Sequence, residues 1–177
     1  RSVVNRGALR HLSKSGSGAV FSPCGSLLLT WSNDEARLWD AASGTPVAEH
    51  FSHQGTFTPA VFSPDGTRIL TAPCFVYTAS KDHTAQISHV DSNFTTQSIK
   101  HLHHKGWIHS MAFSADGRAI LTASDDGTAR LWDTTSGQPL SAPLNHEGSF
   151  NSAVYSAVFS PDGSRILTAS QDRTARL

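Results

Sequence analysis

Cysteine is scarce in this chain. Cys24 and Cys74 are the only two in 177 residues, one in a turn-like Ser-Pro-Cys-Gly segment and the other where a repeat pattern breaks, so a disulfide framework is not indicated and both read as free thiols. Charge of one sign is also lacking. Fourteen Lys plus Arg balance fourteen Asp plus Glu, which leaves no long-range field to draw in nucleic acid or an anionic membrane. There is no run of 18 apolar residues, and the first residues lack the charged-then-apolar pattern of a secretory leader, so the expectation is a soluble, cytoplasmic chain with no membrane partner. Residue 1 is Arg rather than Met, which leaves a longer parent protein open. Catalytic signatures are missing too. No GxSxG elbow, no HExxH and no phosphate-cradling glycine loop occurs, and the carboxylate pairs Asp125-Asp126 and Asp34-Glu35 fall in turn positions. The chain reads as a non-enzyme without a cofactor.

What the sequence has is repetition. The stretch from Phe113 to Asp133, FSADGRAILTASDDGTARLWD, returns at Phe159 to Leu177 as FSPDGSRILTASQDRTARL and at Phe21 to Asp40 as FSPCGSLLLTWSNDEARLWD. A fourth copy starts as FSPDGTRILTA at Phe62, takes in about seven extra residues around Pro73 to Tyr77, and resumes as TASKDHTAQI at Thr78. The phenylalanines that open the copies are 41, 51 and 46 residues apart, a period that signals a repeat architecture.

Within each copy the local code is β. Ile120 to Ser124 is a short run between Asp116-Gly117 and Asp126-Gly127 and reads as a strand between two tight turns. Ser-Pro-Asp-Gly suits the first turn, because proline presets φ, aspartate bonds to nearby backbone and glycine accepts positive φ. Each unit is then four strands: a, ending at the phenylalanine; b, the ILTAS run; c, the TARLWD run; and d, a variable segment such as Gln138 to Leu144. Pro139 and Pro143 place strand d at a sheet edge, where no ladder bond is lost. Four residues beyond the last apolar residue of each d segment stands a glycine (Gly16, Gly55, Gly106, Gly148), and between the two lie His53, His104 and His146, with Lys14 in the same slot of the first unit.

Units of this order and spacing resemble the WD-repeat (Trp-Asp repeat) family over nearly the whole chain, and the regular FSPDGxRILTASxDxTARLWD form looks like its bacterial branch. The resemblance implies an all-β propeller of four-stranded antiparallel blades around a channel. It also implies a hydrogen-bonded tetrad in each blade, His104, Thr122, Asp126 and Trp132 in the third, whose polar groups satisfy one another. The first unit keeps Thr30, Asp34 and Trp39 but has Lys14 for histidine. The second keeps His53, Thr78 and Asp82 but has Ser88 for tryptophan, and the fourth has His146, Thr168 and Asp172.

The chain divides into repeats at approximately 13–51, 52–102, 103–144 and 145–177, with residues 6–12 supplying strand d of the last blade. Three arrangements follow: a four-bladed ring, half of an eight-bladed ring closed by a homodimer, or part of a larger array. The last two take precedence because a four-bladed ring leaves wide wedges to fill. Ten histidines suggest a metal site, but His53, His104 and His146 fill one repeated slot and His11, His50 and His101 another, leaving only His103 and His109 of the cluster unexplained.

The function that survives is recognition of a protein or peptide, on the face the resemblance assigns to the d-to-a and b-to-c loops. Its candidate residues are Thr56, Thr58, Trp107, His109, Ala153 and Tyr155 at the start of strand a, and Asn33, Lys81, Asp125 and Gln171 before each tetrad aspartate. Trp107 and Tyr155 lead, since aromatics dominate binding hot spots, although either ring could instead pack between blades. The alternatives are a propeller that binds a small ligand or metal at the channel mouth through His103, His109 and Trp107, and a purely structural oligomerisation module.

Overall fold

The computed structural model describes residues 18–31, 35–47, 51–52, 56–57, 60–74, 83–90, 96–146 and 152–177. Every regular element among them is a β-strand. The short β-branched runs sit between turn residues that cannot extend them, and each run therefore folds back on its neighbour.

The first blade is formed by β1 (Gly18–Phe21), β2 (Leu27–Trp31), β3 (Glu35–Asp40) and β4 (Phe51–Ser52), hydrogen-bonded in that order. In the second, β5 (Thr56–Phe57) pairs with β8 (Pro73–Cys74) as a separate two-stranded ribbon, while β6 (Val61–Phe62), β7 (Arg68–Thr71), β9 (Thr84–Val90) and β10 (Thr96–His103) make the four-stranded sheet. The third blade is β11 (Ile108–Phe113), β12 (Ala119–Ser124), β13 (Thr128–Asp133) and β14 (Leu144–Asn145), and the fourth shows β15 (Val154–Phe159), β16 (Ile166–Ser170) and β17 (Ala175–Arg176). All pairings are antiparallel.

The repeated FS(P/A)DG segment closes the a-to-b hairpin as its residue types demand. In the third blade Gly117 N–H donates to the Ser114 carbonyl at 2.9 Å, Ser114 N–H donates to the Ala119 carbonyl at 2.8 Å, and Asp116 Oδ1 accepts from Ser114 Oγ at 2.6 Å. Gly117 has φ 69°, a conformation a side chain would strain.

Blades pack face to face through the apolar positions of strands b and c. Leu27, Leu29, Ala36 and Leu38 of the first blade meet Ala60, Ile69 and Val90 of the second; Leu70, Ala72, Ala85 and Ile87 of the second meet Ile108, Ile120 and Trp132 of the third; and Leu121, Ala123 and Ala129 of the third meet Val154 and Ala157 of the fourth. Each fully buried leucine or isoleucine stabilises the stack by about 1.5–3 kcal/mol relative to exposure. The same positions at the ends of the stack are open: Leu167, equivalent to fully buried Leu121, is 45% exposed, and Phe21, equivalent to half-buried Phe113, is 62% exposed.

Two details differ from the sequence reading. Strand d of the third blade does not run continuously from Gln138 to Leu144; Pro139 forms a single bridge with Trp132, and the ladder is confined to Leu144–Asn145. Prolines 139 and 143 have no N–H to donate, which limits the pairing. In the second blade, the strand b threonine is Thr71, not Thr78. Thr71 pairs with Gln86 and Ile69 with Ser88, as Thr122 pairs with Arg130 and Ile120 with Trp132. The intact ILTA run pairs where it stands, and the extra residues follow strand b. Thr78 lies outside the described residues, as does segment 6–12.

Candidate functional site

The end of the blades where strand a begins and strand b finishes is built differently from the FSPDG end. In β11, Ile108 pairs with Ser124 and Ser110 with Ala123, so His109 is the extra residue of a bulge; in β15, Val154 pairs with Ser170 and Ser156 with Ala169, which puts Tyr155 in the same position. A bulge breaks the strict alternation of faces and re-aims the inserted side chain. The two bulges bring His109 and Tyr155 together across the blade boundary, with ring centroids 5.0 Å apart at 65°. His109 Nε2 lies 2.5 Å from Asp125 Oδ1, their side chains being 17% and 29% exposed. Tyr155 is 48% exposed.

Trp107 is held beside this group by backbone. Its carbonyl accepts from Asp125 N–H at 2.8 Å, and Ala153 does the same for Gln171 N–H at 2.9 Å in the fourth blade. The preceding Gly106 lies so close to the b-to-c turn that a Cβ there would stand 2.7 Å from Asp126 N. The Trp107 ring is half-buried and meets the His83 ring edge-on at 5.1 Å, so it faces the second blade while Tyr155 stays open. Ala153 is buried and Gln171 exposed. Thr56 is placed by backbone alone, and Thr58, Asn33 and Lys81 lie outside the described residues.

His103 does not join His109. Its ring stacks on His101 at 6.2 Å. Among the described residues no three side chains of metal-ligating type are gathered.

Beneath this surface the third blade holds a buried polar chain. His104 Nδ1 lies 2.9 Å from Asp126 Oδ2, His104 Nε2 lies 2.7 Å from Thr122 Oγ1, and Trp132 Nε1 donates to the same Oγ1 at 2.8 Å. Burial opposes ionisation of Asp126, but bonds from His104, the Lys105 N–H and Thr128 outweigh it and hold the carboxyl well below its usual range. The fourth blade repeats the pattern, with His146 placed 3.0 Å from Asp172 and 2.8 Å from Thr168. Burial again opposes ionisation there, while bonds from Thr174 and His146 bring Asp172 to about 2. In the first blade Trp39 Nε1 donates to Thr30 Oγ1 at 2.8 Å; Asp34 and Lys14 lie outside the described residues, as do His53 and Asp82. Ser88, in the tryptophan position of the second blade, is buried with a hydroxyl that has no partner among the described residues.

The family profile described as "WD domain, G-beta repeat" matches residues 96–133 and 140–177. These two stretches are WD repeats. The chain is similar to human apoptotic protease-activating factor 1, 31% identical over 127 residues that make up 70% of this chain and 10% of that protein. It is also similar to nuclear distribution protein nudF of Aspergillus niger, 26% identical over 73% of this chain and 32% of the relative. Human WD repeat-containing protein 86 is 48% identical over 44 residues, 25% of this chain and 12% of the relative. The chain thus spans a tenth to a third of these proteins. All three are eukaryotic, and the resemblance to bacterial repeats finds no support in them. In the two matched WD repeats the tetrad side chains support the loops that carry Trp107, His109, Asp125 and Tyr155, because Asp126 and Asp172 belong to the same b-to-c turns as Asp125 and Gln171.

Proposed function

We propose that this WD-repeat array is a non-catalytic platform that binds a protein or peptide where the third and fourth blades meet, through Tyr155, His109, Asp125 and the edge of Trp107. The observation that carries the reading is an exposed tyrosine held in place before any partner arrives. Tyr155 packs edge-on to His109, and His109 is fixed by Asp125. A pre-ordered aromatic loses little freedom on binding, and rings beside a hydrogen-bonding group are typical of interface hot spots. Similarity to WD-repeat proteins supports an interaction role in general. The site is tested with peptides selected from a displayed library against the whole chain: Tyr155→Ala is expected to weaken the selected binders at least tenfold and Asp162→Ala, at the opposite end of the blade, to leave them unchanged. Equal effects of both substitutions would place the interface elsewhere.

We further infer self-association through the outward blade faces. Leu167, Val158 and Phe21 are exposed where their equivalents are covered by a neighbouring blade, and another copy supplies faces of the matching kind, as an eight-bladed homodimer requires. Light scattering should give twice the 19.0 kDa chain mass; a monomer at every concentration would dismiss the dimer.

A further inference from the structure

We propose that the cleft between the second and third blades, at the FSPDG end and remote from Tyr155, is a binding site for an oxyanion of phosphate size. The cleft is about 160 Å³ and is lined by Arg68, Ile87, His89, Lys100, Thr134 and Thr135. At roughly 30 Å³ per water it has room for one tetrahedral oxyanion with a little solvent.

The register explains how the basic groups converge. Arg68 on β7 pairs directly with His89 on β9, and Lys100 on β10 pairs with Ile87 two residues before His89. Residues two apart on a strand share a face, so all four side chains project from one face of the sheet, towards the turn after β13 that carries Thr134. In the first and third blades the position of the Arg68–His89 pair is taken by Leu27–Asp40 and Ala119–Asp133. The repeat therefore does not require basic residues here. Two basic side chains directly opposite each other add nothing to the sheet by themselves; an anion between them gives the pair a purpose.

Thr134 is the second observation. It is buried, and its hydroxyl has no hydrogen-bond partner among the described residues. A buried hydroxyl is ordinarily satisfied, and an exception at the wall of a small basic cleft points to a ligand atom or ordered water. Two carboxylates border the site. Asp65 Oδ2 lies 3.7 Å from Arg68 Nη1, and Asp133 Oδ1 accepts from Thr135 N–H, Ser136 N–H and Ser136 Oγ. Asp65 partly offsets Arg68, and Asp133, besides accepting from its own turn, also interacts with the charge of Arg68, which leaves Lys100, His89 and the Thr134 hydroxyl for the ligand. The neighbouring cleft, between the third and fourth blades, has the opposite character, with Asp116, Asp133 and Asp162 around Arg118. An anion would therefore discriminate between two adjacent clefts of one repeat array.

The test is calorimetric titration of the whole chain with inorganic phosphate at constant ionic strength, with sodium chloride as the control. Saturable binding is expected, weakened at least tenfold by Lys100→Gln and at least threefold by Thr134→Val, and unchanged by Arg165→Gln, which alters the fourth-blade residue in the place of Arg68. Thr134→Val should also raise the melting temperature without phosphate, since it removes an unpaired buried hydroxyl, and this separates loss of the site from loss of the fold. A phosphoserine peptide that binds more tightly than the free ion would name a modified protein as the source of the oxyanion, and equal affinities would name the ion itself. No saturable binding, or the same response in all three variants, would overturn the proposal.

Discussion

At the scale of single residues, Thr122 is the joint of the third blade. Its one hydroxyl oxygen meets both His104 Nε2 and Trp132 Nε1, and the residue is fully buried. Thr122→Val keeps the shape and strands two polar groups, each at about 1–3 kcal/mol, so a loss of about 2–6 kcal/mol is expected in urea denaturation. In the fourth blade Thr168 meets His146 but no indole among the described residues, and Thr168→Val should cost about half as much. Equal costs would mean that the indole bond adds nothing. The tetrad of the third blade was legible through the resemblance to WD repeats, which carries its four members over position by position; in the second blade the extra residues led the same reading to Thr78 where strand b holds Thr71. Tyr155 and His109 were legible as positions, whereas their contact was not: it depends on two bulges, and in so short a strand an interrupted alternation does not say which residue is the unpaired one.

At the scale of elements, strands b and c could be read directly, because ILTAS and TARLW are short, partly β-branched and bounded by turn residues. Glycine marked the turns for the same reason, yet the fold does not always demand it. Gly127 has φ 78°, and Arg173 in the equivalent turn of the fourth blade holds φ 68° with a side chain attached, so hydrogen bonds such as Thr174 N–H to Asp172 at 2.8 Å are sufficient to set that turn. Where the sequence offers two similar threonines, Thr71 and Thr78, spacing alone does not choose between them. Register does, since Arg68–Thr71 continues without interruption from the FSPDG turn and pairs with β9 before the extra residues begin. Strand d was the least legible element, because its pairing depends on which of its residues have an N–H to donate.

At the scale of the whole molecule, the blades present two unlike ends. At the FSPDG end, aspartates such as Asp116 and Asp162 are tied to serines of their own turns, and side-chain bonds from Ser160 and Ser164 hold Asp162 at about 2, so this end is locally closed and repeats with little change apart from the basic cleft. At the other end the bulges, the glycine-anchored Trp107 and the His109–Tyr155 contact differ from blade to blade, and the recognition we propose there relies on contacts shared between blades rather than on net charge, which is zero. The most direct test of that claim is a double-mutant cycle on binding of a selected peptide, with His109→Ala, Tyr155→Ala and both together. A site built across the blade boundary predicts coupling of about 0.5–3 kcal/mol between the two substitutions. Strictly additive losses would contradict it and show that the third and fourth blades bind independently.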